Sequence, residues 1–220
     1  MSVVETPGLR DFLHGYPKMA IRPSAGQSLR LKGRFEFVAH HPKEGDIQDS
    51  FALEIIVPSA FPKALPSVTE TGGKIPRTGE YHVNQTDNTL CLGSPLSLFL
   101  KLSKKPTLDG FAENCLVPYL FAISRKLQNG GPLPFGELDH GVKGLYADYM
   151  QLFGLKSREQ LVYAFKLLGM KKRRANKLHC PCGCGIRLGR CKFNFRMREF
   201  RSVASRTWFK SQVACKGVDS

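Results

Sequence analysis

Residues 81–93 run Tyr-His-Val-Asn-Gln-Thr-Asp-Asn-Thr-Leu-Cys-Leu-Gly, so Cys91 stands between two leucines, directly after a loop of small polar residues. A nucleophilic thiol that attacks an acyl group needs an accessible sulfur. It also needs a hydrogen-bond donor where the carbonyl oxygen becomes negative. Asn84 is the candidate donor, and His82 precedes it by two residues. The alternative is structural, because cysteine is often a small buried apolar residue on a strand.

The segments on both sides of Cys91 follow an ordered pattern. Residues 51–57, Phe-Ala-Leu-Glu-Ile-Ile-Val, alternate as a strand does and end at Pro58. Residues 61–66, Phe-Pro-Lys-Ala-Leu-Pro, come next, followed by His82-Val83-Asn84 and then by Leu90-Cys91-Leu92. The order is therefore strand, proline-rich turn, polar loop and cysteine.

This order resembles the ubiquitin-conjugating enzyme family. In that family a strand ends in proline, and a Tyr/Phe-Pro-x-x-x-Pro turn follows. His-Pro-Asn and the catalytic cysteine come after it. Pro106-Thr107-Leu108 and the helix after them are similar to the segment downstream of that cysteine, so the resemblance covers roughly residues 28–128. Val83 replaces the proline of His-Pro-Asn, and the tryptophan before Pro106 is absent, which indicates a divergent, bacterial member.

The resemblance implies an α+β fold, an antiparallel β-meander packed on helices, over residues 1–130. It implies an enzyme that carries a protein C-terminus as a thioester on Cys91, with Asn84 and His82 at the site, and transfers it to an amine. The partners would be an activating enzyme and a protein whose C-terminus is conjugated. That protein would be a ubiquitin-like protein or a CD-NTase-type nucleotidyltransferase, because divergent bacterial relatives occur in antiphage defence operons. A non-catalytic adaptor of the same fold is the alternative.

Composition limits where the protein works. Hydrophobic residues make up 42% of the 220, as in ordinary globular proteins. No run approaches the roughly 18 to 20 apolar residues of a membrane helix, and the N-terminus lacks the pattern of a signal peptide. The sequence therefore predicts a cytoplasmic protein with no membrane partner.

The charge is concentrated near the C-terminus. Residues 156–216 hold 17 lysines and arginines but only two acidic residues, Glu159 and Glu199. This excess of 15 equals the net charge of +15 of the whole chain. Aromatic residues alternate with the cations after Lys192, a pattern that suits nucleic-acid binding through phosphates and base stacking. Two alternatives stay open: a patch that docks an acidic protein, and a solvated face with its aromatics packed inward.

Periodicity predicts the other elements. Apolar residues alternate over residues 28–40 and at 51–57 and 67–71, which predicts the strands of a meander, and a short helix around Leu9–Leu13 precedes them. A helix at about 108–127 would cover the sheet, with Cys115 on its buried stripe. Two amphipathic helices are expected at 142–153 and 157–170, within a helical extension at 131–175. Asp139 and His140, before those helices, are more typical of a turn or cap than of a base for Cys91.

A dense group of cysteines defines a third predicted module, at residues 176–220. Cys180, Cys182, Cys184 and Cys191 stand among glycines, which suits a tetrahedral structural zinc site. The segment is similar to the SEC-C zinc motif, whose first three ligands match Cys180, Cys182 and Cys191. Lys192 stands where that motif has its fourth ligand. Cys184 is favoured as the replacement because sulfur is the better zinc ligand, and His179 is the alternative.

Overall fold

The computed structural model describes residues 6–24, 26–133 and 141–214. It divides the chain into two compact units, Met1–Glu137 (unit 1) and Leu138–Ser220 (unit 2). The fold class is α+β, as predicted. Asp139 and His140 lie outside the described residues. Within the described ranges, every helix is too short or too polar to cross a membrane.

Unit 1 consists of a short helix, a four-stranded sheet and a group of helices. In chain order its elements are α1 (Leu9–Gly15), β1 (Met19–Arg22), β2 (Leu29–His41), β3 (Gly45–Val57), β4 (Ser67–Glu70), α2 (Pro95–Ser103), α3 (Leu108–Phe111) and α4 (Val117–Asn129). The sheet order is β1-β2-β3-β4, and each neighbouring pair is antiparallel. The predicted meander is therefore present, with one additional strand at its edge.

The hairpin of β2 and β3 is longer than periodicity predicts. Its register runs from the Leu29–Val57 pair to the His41–Gly45 pair, and Gly45 closes the turn with a positive φ of 75°. Strand β3 begins at Gly45, whereas the apolar alternation is clear only from Phe51. The pattern is hidden because Asp49 takes an inward position between the buried residues Ile47 and Phe51.

Asp49 is accommodated on the inner face because its carboxylate is hydrogen-bonded. Ser124 Oγ donates to Asp49 Oδ2 over 2.7 Å, and Lys74 Nζ donates to the other oxygen. Partial burial acts to raise the pKa of Asp49, but the bonds from Lys74, Ser124 and the Ser50 N–H outweigh it and lower that pKa. These bonds join the hairpin to helix α4, which carries Ser124.

The helix predicted at 108–127 is present but interrupted. A π-helical turn, Ala112–Leu116, separates α3 from α4. Pro118, in the first turn of α4, has no N–H to donate to the turn before it, which accounts for the break in the regular ladder. Thr107 caps the start of α3 by accepting the Gly110 N–H over 3.3 Å. Cys115 is 1% exposed and belongs to the core, as its position on the stripe predicts.

Two elements of unit 1 are absent from the predicted set. Strand β1 is a four-residue edge strand in which only Met19 is buried, so it has no alternation to detect. Helix α2 begins with an ordinary start signal. Ser94 is its N-cap and accepts the Ser97 N–H over 3.3 Å, and Pro95 follows at the first helical position.

Unit 2 is helical, with a cysteine hairpin in the middle. In chain order its elements are α5 (Gly141–Phe153), α6 (Arg158–Gly169), α7 (Lys172–Ala175), α8 (Phe193–Val203) and α9 (Arg206–Ala214). The rings of Phe153 and Phe200 stack with their centroids 4.0 Å apart, and Phe209 packs on Phe165 at 5.9 Å. Most tail aromatics therefore pack inward, while Phe195 is 72% exposed.

Candidate functional site

Cys91 is held at the end of a small hairpin on the edge of the sheet. Val83 and Leu90 form an antiparallel bridge, and the Cys91 N–H donates to the His82 carbonyl over 2.7 Å. The Leu90 N–H donates to the Val68 carbonyl over 2.8 Å, which ties the hairpin to β4. The backbone on which Cys91 lies is therefore fixed from two sides.

The thiol of Cys91 is free and only half-buried, three residues before the N-cap of α2. Leu90, beside it, is buried, and Leu92 is half-buried. Cys115, the other described cysteine of unit 1, is enclosed in the core, and burial raises the pKa of its thiol to about 11. Of these two thiols, Cys91 is therefore the one that a substrate can reach.

His82 meets Cys91 through its backbone. A 3₁₀ turn, Gly79–Tyr81, ends at His82, which has a left-handed conformation with φ 51° and ψ 47°. A non-glycine residue in that region is uncommon and marks a tight turn. The contact with Cys91 is made by the His82 carbonyl, which accepts the Cys91 N–H. His82 thereby sets the position of the cysteine.

Asn84 is exposed and is bonded within its own loop. Its amide Nδ2 donates to Thr89 Oγ1 over 2.7 Å, and Thr89 Oγ1 donates to Asp87 Oδ1 over 2.7 Å. The Thr89 N–H also donates to Asp87, and these bonds lower the pKa of that carboxyl. The amide nitrogen of asparagine carries two hydrogens, and the bond to Thr89 uses one of them. Asn84 therefore steadies the loop and keeps a second hydrogen for donation.

Tyr119 joins the helix layer to the cysteine loop, a role that its place on the apolar stripe of α4 did not reveal. The side chain is 8% exposed, and its hydroxyl donates to the Tyr81 carbonyl over 2.8 Å. Burial, with smaller effects from Cys91 and Glu70, raises the pKa of Tyr119, so the hydroxyl remains a donor. Glu70 is itself buried and accepts the N–H groups of Gly72 and Gly73.

The cysteines of unit 2 form one compact group. The sulfurs of Cys180, Cys182, Cys184 and Cys191 lie within 4.8 Å of one another. The separations are 3.2 Å for Cys180–Cys182, 3.7 Å for Cys182–Cys191 and 3.6 Å for Cys184–Cys191. Four thiolates bound tetrahedrally at about 2.3 Å from a zinc ion would be about 3.8 Å apart. The four cysteines can therefore hold a metal ion.

The backbone around this cysteine cluster is shaped for close approach of the sulfurs. A bridge between His179 and Arg187 closes a hairpin, within which Gly183 and Gly185 have positive φ values of 81° and 76°. The Phe193 N–H donates to Cys191 Sγ over 3.4 Å, a contact that also stabilises a thiolate. Gly183 and Gly185 flank Cys184, and its sulfur lies with the other three.

His179 lies outside the group of sulfurs. Its Nδ1 is 3.3 Å from the Gly185 carbonyl, to which it donates. Burial raises the pKa of Cys180, and that of Cys182 is raised as well, whereas the Ile186 N–H lowers the pKa of Cys184. Four thiols so close together cannot all ionise without a cation to offset the charge.

Comparison with known proteins returned no relative. Neither a scan against protein-family models nor searches of curated proteins and of solved structures found a match. The function is therefore proposed from the geometry of Cys91 and its loop, together with the order of the elements around them.

Proposed function

We propose that the protein is an enzyme resembling ubiquitin-conjugating enzymes, which carries an acyl group on Cys91. The observation that carries the proposal is an accessible thiol on a fixed backbone: Cys91 is half-buried, and its N–H is bonded to His82 in a loop anchored to β4. The antiparallel meander before this loop and the helices after it support the finer assignment to that fold.

The reaction is an exchange of acyl bonds. An activating enzyme presents the C-terminus of a protein as a thioester, and the Cys91 thiolate attacks that carbonyl. A new carbon–sulfur bond forms at Cys91, and the thiol of the activating enzyme leaves. An amine, normally that of a lysine, then attacks the Cys91 thioester, which yields an amide and returns Cys91 to its thiol form. Neither step changes an oxidation state, so no oxidant or reductant is consumed.

The partner class comes from the resemblance. The conjugated protein is a ubiquitin-like protein or a CD-NTase-type nucleotidyltransferase, and the setting is a bacterial antiphage defence system. If the protein were instead a non-catalytic adaptor, Cys91 would form no adduct with a partner protein.

Asn84 is expected to act after the thioester has formed. Its second amide hydrogen can stabilise the oxyanion that develops when the amine attacks, and a lost oxyanion donor costs about 10²–10³-fold in rate. Asn84→Ala should therefore load normally and discharge to free lysine about 10²–10³-fold more slowly. The measurement is the decay of the isolated thioester on non-reducing gels.

Thr89→Val is the matched control for Asn84. It removes the loop bond that Asn84 Nδ2 makes to Thr89 Oγ1, but it keeps the amide. Discharge by Thr89→Val should stay within a few-fold of the unsubstituted protein. Equal slowing in both variants would mean that Asn84 acts only by holding the loop together.

Tyr119→Phe should destabilise unit 1 by about 0.5–1.5 kcal/mol, because it removes the hydrogen bond to the partly buried Tyr81 carbonyl. Urea unfolding followed by far-ultraviolet circular dichroism measures the loss. Tyr16→Phe is the control, since its hydroxyl has no partner among the described residues although its ring stacks on Phe35 at 4.1 Å. Equal losses in the two variants would contradict the role of the Tyr119 bond.

We also propose that the metal is zinc and that its role is structural. All four ligands would be thiolates, Cys180, Cys182, Cys184 and Cys191, a complete set that leaves no open position for a substrate. The ion would hold the hairpin against the start of α8, where the Phe193 N–H meets Cys191.

A further inference from the structure

Unit 2 carries a large positive charge on its surface. Between residues 156 and 214, every lysine and arginine except Arg201 is exposed. Glu159 and Glu199 are the only acidic residues in the stretch, and neither forms an ion pair with a described residue. Most of the positive charge of residues 156–214 therefore has no acidic side chain in the same stretch to offset it.

These cations lie on neighbouring segments. Gly169 lies against the Lys210 side chain and the Arg206 carbonyl, which brings α9 beside the start of the run Lys171–Arg174. The Gly189 N–H donates to the Asn176 carbonyl over 3.0 Å, and the Leu188 N–H donates to the Leu178 carbonyl over 2.8 Å. The two bonds bring the segment of Arg187 and Arg190 beside that of Lys177. We call these cations the basic strip: Lys171–Arg174, Lys177, Arg187, Arg190, Arg206 and Lys210.

The basic strip is suited to a regular array of negative charges. Duplex DNA presents about one phosphate charge per 1.7 Å of its length and releases bound counterions when cations replace them. The tail aromatics contribute little base stacking, because Phe200 and Phe209 are buried. Phe195 is the exposed ring of this stretch, and the Arg198 guanidinium lies 5.6 Å from its centroid. Recognition would therefore be through the backbone phosphates.

We propose that unit 2 binds nucleic acid through the basic strip, by its phosphate backbone and with little dependence on sequence. The cysteine hairpin carries Arg187 and Arg190, so the metal centre would hold part of the strip in place. This activity is separate from acyl transfer at Cys91, and neither proposal depends on the other.

The test uses the full-length protein and a 20-base-pair DNA duplex of mixed sequence, with binding followed by fluorescence anisotropy over a range of salt concentrations. Substituting glutamine at Lys171, Lys172, Arg173 and Arg174 removes four exposed charges from the strip. Binding should weaken, and the slope of log affinity against log salt should become shallower by up to about 3.6, since each phosphate contact contributes about 0.9. Arg187→Gln with Arg190→Gln should lower the slope by up to about 1.8.

The matched control removes the same number of exposed charges from unit 1, by glutamine at Arg22, Lys32, Lys63 and Lys104. It should leave the slope unchanged. A slope that falls equally in the control, or in neither strip variant, would overturn the proposal. Polyglutamate of matched charge represents an acidic protein partner and is added as a competitor of the bound duplex. If polyglutamate displaces the labelled duplex at a lower charge concentration than unlabelled duplex does, the strip prefers acidic proteins and the proposal is wrong.

Discussion

Cys91→Ala is expected to abolish the adduct between this protein and its conjugated partner, whereas Cys115→Ala should leave the adduct in place. Cys91 is the half-exposed thiol of unit 1, on a loop anchored by the His82 carbonyl. Cys115 is 1% exposed, and burial raises its pKa to about 11, so its thiolate is scarce at neutral pH and enclosed by the core. The adduct should be lost completely in Cys91→Ala and unchanged in Cys115→Ala.

The measurement is the electrophoretic mobility of the tagged protein, recovered by acid denaturation from cells that naturally make it. Samples are compared with and without a thiol reductant. Cys115→Ala controls for general damage, since it removes a buried sulfur and can lower stability without touching the site. An adduct that persists in Cys91→Ala would show that the acyl group is carried elsewhere.

Removal of the proposed zinc ion is the second change with a large expected effect. A structural zinc site can contribute on the order of 10 kcal/mol to folding, more than a small unit can replace by packing. Chelation should therefore unfold unit 2 while the sheet of unit 1 stays folded. Trp208, the single tryptophan of the chain, packs on Phe165 and Phe209, so its fluorescence reports on unit 2 alone.

Elemental analysis of the purified protein should find one zinc per chain. Cys184→Ala should lose the ion to a competing chelator, whereas His179→Ala should retain it, because the His179 ring lies on the Gly185 carbonyl outside the sulfur group. Metal-free protein with unchanged Trp208 fluorescence would refute the structural zinc. Loss of the metal in His179→Ala but not in Cys184→Ala would show that His179, and not Cys184, is the fourth ligand.

Elements with a regular apolar period could be predicted from the sequence. The alternating apolar residues of β2 pack against one core, so burial determines which face of the strand points inward. The helices at Gly141–Phe153 and Arg158–Gly169 are close to the predicted 142–153 and 157–170. Gly154, which separates them, has a positive φ of 64°. In such segments local pattern and tertiary packing favour the same structure.

The sequence could not predict features created by contacts between distant segments. Asp49 interrupts the apolar alternation at the start of β3. The residues that allow it to point inward, Lys74 and Ser124, are distant from it in sequence. Tyr119 has the appearance of an ordinary core residue until the fold brings the Tyr81 carbonyl to its hydroxyl. These features depend on tertiary contacts, which residue spacing alone does not predict. The preference for Cys184 over His179 could be predicted, because it rests on ligand chemistry, and the hairpin places the Cys184 sulfur with the other three.

The most direct test of the central claim is the chemistry of the bond at residue 91, which separates a thioester from a disulfide. Adducts of the unsubstituted protein and of Cys91→Ser are recovered at low pH and treated with neutral hydroxylamine, with thiol or with hydroxide. We predict that hydroxylamine and thiol both release the partner from Cys91. We also predict that Cys91→Ser holds it as an oxygen ester, which resists thiol and yields to hydroxide. An adduct released by thiol but not by hydroxylamine would be a disulfide, and acyl transfer by Cys91 would be contradicted.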